Sequence, residues 1–231
     1  MGTTERRLRE RARKEADIIG AAMELFLAKG YNDTTVDDIA NRLELSKGAI
    51  YLHFQSKEEI YFAVALQGLK ILSDRFKEAA SGPGTGMEKL ERMGKAYVEF
   101  WSAHPDYRRL LQDPVARGAP SPSGQYAKRF AEVGRETNAL MVRTAQEGLE
   151  DGSMASDAAP EEIAFIVSSS LDGVLSRLEH HVSLKDGNGM DREKLLGRTF
   201  EMFIKALAGR PTEGNDATAK LSTGGKGRKK G

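Results

Sequence analysis

Apolar residues recur along the chain at spacings of three and four, so the pattern predicts helices from end to end. Ile18, Ala22, Leu25 and Phe26 form one stripe, which stops near Gly30. Two short segments follow between Tyr31 and Phe54. A longer helix is predicted over 56–80, with Ser56 and Glu59 spaced as a capping box and Ile60, Val64, Ile71, Leu72 and Phe76 facing inward. Leu90, Met93, Tyr97, Phe100, Trp101 and His104 share the face of the next, which Pro105 stops or kinks. Tyr126, Phe130, Val133, Thr137, Leu140, Met141 and Thr144 mark a helix over 125–149, and two more are expected over 160–181 and 191–208. Breaks rich in Gly, Pro or Asp at 82–86, 114–124, 151–160 and 186–189 separate these runs. Sustained β alternation and hairpin signals are missing, so the expected fold class is all-α.

Composition narrows the function. A chain of 231 residues with 39% apolar residues can bury a sizeable core. The absence of Cys excludes disulfides, thiolate metal sites and thiol nucleophiles, and fits a reducing, cytoplasmic setting. No stretch approaches the roughly 18 uncharged apolar residues of a membrane span, so no membrane partner is expected. The net charge of +1 conceals a segregation: residues 1–14 hold six basic against two acidic side chains, and residues 217–231 hold five against none. Positive ends therefore flank an acidic body. Beyond Pro211 the sequence is polar and Gly-rich, and residues 210–231 are expected to be a disordered basic tail.

The segment from Thr35 to Phe54 carries the chemistry. Thr35 is placed to cap a short helix with Asp37 and Asp38 in its first turn, and Val36, Ile39, Ala40 and Leu43 face inward. Ser46 can cap a second, with Ala49, Ile50 and Phe54 apolar, so the two helices meet across a turn at 43–45. In a helix-turn-helix the N-terminal part of the second helix enters the major groove and must be small or polar there. Ser46, Lys47, Gly48 and Ala49 meet that demand. Lys47 can reach a guanine edge or a phosphate, while Tyr51 and His53 can hydrogen-bond flanking phosphates. Two amphipathic helices and a turn also occur in proteins that never meet DNA.

The runs 21–31, 34–40 and 46–60 together resemble the DNA-binding signature of the TetR family of bacterial transcriptional regulators, over about a quarter of the chain. The resemblance implies that Thr34, Thr35, Lys47, Tyr51, His53 and Lys57 lie on the DNA backbone, with Ser46, Lys47, Gly48 and Ala49 nearest the bases. Glu44 departs from it, standing where the family usually has Gly in the turn. The implied organisation is a DNA-binding domain over 1–55 and a helical ligand-binding and dimerisation domain over 56–209.

In that larger region, Tyr97, Trp101, His104 and Tyr107 bring aromatic rings with polar handles together. Phe130, Val133, Thr137 and Met141 would supply the opposite wall of an effector pocket. An ordinary core explains each of these residues singly. Val167, Leu171, Val174 and Leu178, with Phe200, Phe203 and Ile204, are expected to form a two-fold four-helix dimer interface, and burial inside one subunit fits the same pattern.

Catalytic signatures are thin. The adjacent His180 and His181 point to different helix faces, and there is no phosphate loop or nucleophile elbow, so no catalytic residue, metal or cofactor is assigned. The expected protein is a homodimeric repressor that binds double-stranded operator DNA and is released by a small molecule. A ligand-sequestering or protein-interaction module without specific DNA binding is the alternative, and a helical enzyme the third reading.

Overall fold

In a computed structural model the chain is described over residues 3–111, 124–180 and 192–208, and every regular element there is an α-helix. They run α1 Thr3–Asp33, α2 Val36–Arg42, α3 Lys47–Tyr51, α4 Lys57–Ser81, α5 Gly86–Ala103, α6 Pro105–Leu111, α7 Gln125–Glu150, α8 Pro160–His180 and α9 Arg192–Leu207. The expected breaks at 114–124, apart from Gly124, and at 186–189, together with the tail from 210, lie outside the described residues.

Local chemistry sets the boundaries. Gly30, with φ 85° and ψ 163°, breaks helical geometry within α1 where the stripe was expected to stop. The Thr35 hydroxyl accepts from the Asp38 amide and the Asp38 carboxylate accepts from the Thr35 amide, a complete capping box. Thr85 and Glu88 repeat the device at α5. Pro105 opens α6, at the helix position where its missing N–H costs nothing.

Two hydrophobic cores result. The first packs Ile18, Ala22 and Phe26 of α1, Val36 and Ile39 of α2, Ile50, Phe54 and the first half of α4 as far as Ala65. The second gathers Leu72 and Phe76 of α4, the inner face of α5, and Val167, Leu171 and Phe200 of α8 and α9. The central helix α4 runs through both, and its segment from Glu59 to Leu66 is buried on every side. Close approach is paid out at Gly94, where a Cβ would stand 2.2 Å from the Phe200 ring.

Candidate nucleic-acid interface and ligand cavity

α2 and α3 meet as the sequence predicts. Ser46 caps α3 by accepting from the Ala49 amide, and the turn closes through the Leu45 amide donating to the Ala40 carbonyl at 2.9 Å. Glu44 holds φ 56°, so a carboxylate residue adopts the left-handed geometry that Gly takes without cost. Ser46, Lys47, Gly48 and Tyr51 are exposed while Ile50 is fully buried, which points one face of α3 outward and anchors the other. α2 is braced to α1 by Arg42 with Glu24 at 2.8 Å and by Lys29 with Asp38 at 2.7 Å. The hydrogen bond from Lys29, with those from Thr35, holds the Asp38 carboxyl far below the usual carboxylate range.

The Lys47 ammonium pairs with Asp37 at 2.7 Å, which raises its affinity for the proton. Both partners are exposed, and such a pair is weak enough in water to exchange for a phosphate or a guanine edge.

Three residues expected on DNA are held elsewhere. Thr34 is fully buried and its hydroxyl donates to the Gly30 carbonyl at 2.7 Å, so it fastens the turn after α1 from inside. The Lys57 ammonium donates to the Tyr31 and Thr34 carbonyls at 2.7 and 2.8 Å and lies 4.2 Å from the centre of the Tyr31 ring. It therefore ties the end of α1 to the start of α4. The His53 side chain is nearly buried, with Nδ1 3.4 Å from Glu15.

A mostly apolar cavity of about 290 Å³ opens between α4, α5, α7, α8 and α9. Of the expected lining, Tyr97, Trp101, Thr137 and Met141 stand on its wall. The other four do not. His104 packs between Phe100 and Tyr107, Tyr107 lies over Gly68 and donates to Gln67, Phe130 packs on Phe62, and Val133 is buried outside the lining. The cavity's polar lining comprises Thr137, Asn138, Ser168 and Asp172, with the Tyr97 hydroxyl donating to Asp172 at 2.9 Å, while the buried Trp101 indole N–H finds no acceptor among the described residues.

Residues 18–64 match the sequence profile described as "Bacterial regulatory proteins, tetR family". The HTH-type transcriptional repressor KstR2 of Mycobacterium tuberculosis is 25% identical over 144 residues, covering 62% of this chain and 70% of that protein. A solved tetR-family regulatory protein from Rhodococcus RHA1 superposes with a TM-score of 0.65 at 25% identity, over 84% of this chain and 96% of that one. The chain is therefore similar to TetR-family regulators, in sequence through residues 18–64 and in fold over most of its length. The transcriptional regulator FadR from Bacillus subtilis, solved in complex with stearoyl-CoA, has the same fold, with a TM-score of 0.66 at 18% identity over 83% of this chain and 98% of that one. The chain is a DNA-binding regulator.

The chain joins its two cores through side chains whose partners the helical periodicity did not give. The Ser56 hydroxyl accepts from the Glu59 amide, but the reciprocal half of the expected capping box is missing. The buried Glu59 carboxylate instead accepts from the Tyr126 amide at 2.8 Å and so caps α7. Gly124 permits that approach, since a Cβ there would fall 1.8 Å from the carboxylate. The Tyr126 ring stacks on Phe54 with centroids 5.4 Å apart, and its hydroxyl donates to Glu15 at 3.1 Å. Burial opposes ionisation of Glu15, yet hydrogen bonds from Arg11, Tyr126 and His53 outweigh it and keep the carboxyl below its ordinary value.

The expected dimer residues divide. Val167, Leu171 and Phe200 are buried within the chain and line its cavity, which removes them from any intersubunit face. Val174, Phe203 and Ile204 are half-buried against the same core, and the Leu178 side chain lies outside the described residues. The outward faces instead carry Phe165 and Ile166 on α8 and Met202 on α9, at 69%, 48% and 71% exposure. Among the described residues no helix is long and apolar enough to cross a membrane.

Proposed function

We propose that the chain is a homodimeric repressor that reads operator DNA with α3 and leaves it when a largely apolar small molecule enters the cavity. The observation that carries this reading is that α7 serves both sites. Thr137, Asn138 and Met141 line the cavity, and Tyr126, about three turns earlier on the same helix, is fastened to Glu15 and Phe54 beside α3. A ligand that shifts α7 acts directly on the contacts that hold α3 in place.

Residues 1–55 serve as the reading head and 56–209 as the effector and dimer body. Thr35, Ser46, Lys47, Gly48, Ala49 and Tyr51 form the DNA face. An effector suited to this cavity is mainly hydrocarbon, with one polar group for Asn138 or Ser168 on its wall. The name of KstR2 as a repressor and the stearoyl-CoA held by FadR agree with this reading.

Phe165, Ile166 and Met202 form the apolar part of the two-fold interface, with Ser169 and Gly173 allowing close helix approach. By linkage the effector binds the DNA-incompetent state more tightly, and DNA weakens the effector by the same factor.

The test is fluorescence anisotropy with a duplex selected by the protein from a random pool, titrated with stearate and stearoyl-CoA as apolar probes. The reading expects two subunits per two-half-site duplex and release by an apolar probe. Selection of no sequence above background would overturn it. Phe165→Asp is expected to give monomers in sedimentation, and a dimer unchanged in Phe165→Asp and Met202→Asp would move the interface elsewhere.

A further inference from the structure

The buried stripe of α1 changes chemistry before it ends. Ile18, Ala22 and Phe26 face the first core, and continuing the same face towards the N-terminus gives Lys14, Arg11 and Arg7. Arg7, Arg11 and Lys14 fall within about 60° of one another on the helix, at spacings of four and three. This part of α1 runs past the core, with every residue from Thr4 to Lys14 exposed, over about 15 Å of helix. No burial accounts for it.

What that face meets is the end of the reading helix. Arg7, Glu10, Arg11 and Lys14 line a shallow cleft whose other side is Leu52 and His53, immediately after α3. Leu52 is itself 77% exposed there. The acidic residues of the segment are matched within α1: Glu5 with Arg9, Glu10 with Arg6, and Glu15 with Arg11. Arg7 and Lys14 carry no ion pair among the described residues, so the cleft holds a net positive charge beside the face that meets DNA.

We propose that Arg7 and Lys14, with Arg11 between them, form a phosphate-binding arm that extends the DNA contact beyond the helix-turn-helix. The ligand is the sugar-phosphate backbone flanking the major groove that α3 enters. This assignment rests on the DNA-binding reading. It adds a sequence-independent contact, because two cations on a helix face that meets the backbone carry no base information.

The experiment measures full-chain binding to the selected duplex and to a scrambled duplex of equal length across a salt series. The variants are Arg7→Gln with Lys14→Gln, and Arg13→Gln, which removes one charge from a different face of α1. Glutamine keeps helix propensity, and circular dichroism confirms the helix. The double variant removes four cations from a dimer and is expected to lower the slope of log K against log salt by about 3.6 and to weaken both duplexes more than about ten-fold near 0.1 M salt. Arg13→Gln is expected to leave the slope unchanged.

An unchanged slope in the double variant overturns the proposal, as does an equal effect per charge from Arg13→Gln or a loss confined to the selected duplex. Failure of the wild-type chain to select any duplex is a separate outcome and overturns the DNA-binding reading itself.

Discussion

The Tyr126 hydroxyl donates to the Glu15 carboxylate at 3.1 Å, joining the first turn of α7 to α1 across 111 residues of sequence. Glu15 also faces His53 just after α3, so one carboxylate connects the cavity helix with the end of the helix-turn-helix. Tyr126→Phe keeps the ring on Phe54 and removes only the hydroxyl. Loss of this hydrogen bond is expected to cost about 1 kcal/mol in urea unfolding and to weaken DNA binding by about five-fold, with the dimer intact. Unchanged DNA affinity would show that the contact does not hold the head.

The same hydroxyl has a spectroscopic signature. Burial, then the neighbouring Glu15 carboxylate, push Tyr126 up to about 12. Because the folded state favours the neutral phenol, this contribution is complete below the ordinary tyrosine value near pH 10 and is lost as the pH rises through about 12. Absorbance titration of tyrosinate is expected to show a late step that shrinks in Tyr126→Phe. Titration of Tyr126 at the ordinary value would contradict the buried hydrogen bond.

Thr34 distinguishes a structural residue from a DNA contact. Thr34→Val preserves the shape and removes the bond to the Gly30 carbonyl, so stability is expected to fall by about 1–2 kcal/mol. The salt dependence of DNA binding should not change. A shallower salt slope would return Thr34 to the DNA surface.

Glu44 places a carboxylate and a positive φ in the turn between α2 and α3. In Glu44→Gly the relief of left-handed strain is offset by the greater freedom of Gly in the unfolded chain, so stability is expected to stay within about 1 kcal/mol. Removing the negative charge near phosphates should raise DNA affinity about two- to five-fold at low salt, measured by anisotropy. Unchanged or weaker binding would place Glu44 away from the duplex.

The helix-turn-helix was the most legible part of the molecule because its signals are local. The Thr35 and Ser46 caps, the acidic first turn of α2 and the buried Ile39 and Ile50 all lie within a few residues of the helices they define. Side chains that reach across the fold were less legible. Lys57 has the composition of a phosphate contact, and only the position of the Tyr31 and Thr34 carbonyls shows where its hydrogen bonds go. Glu59 has the spacing of a capping box, and only the approach of α7 shows that it caps another helix.

The larger core shows the same limit. Tyr97 and Trp101 share an α5 face that reaches the cavity, as do Thr137 and Met141 on α7. Phe130 and Val133 lie earlier on α7, and Phe130 packs against the first core. On α8 the periodicity found an apolar stripe through Val167 and Leu171. The stripe meets the chain's own core, while Phe165 and Ile166, one step around the helix, face outward. A helical period marks an apolar face without naming its partner.

The central claim is that the exposed face of α3 reads the duplex. Its most direct test is an anisotropy titration of the selected duplex with wild-type protein, Lys47→Ala and Tyr51→Ala, with sedimentation confirming equal dimer content. A groove contact is worth about 1–3 kcal/mol, so each variant is expected to bind about five-fold to a hundred-fold more weakly. Wild-type affinity in both variants would contradict the assignment of α3 as the reading helix.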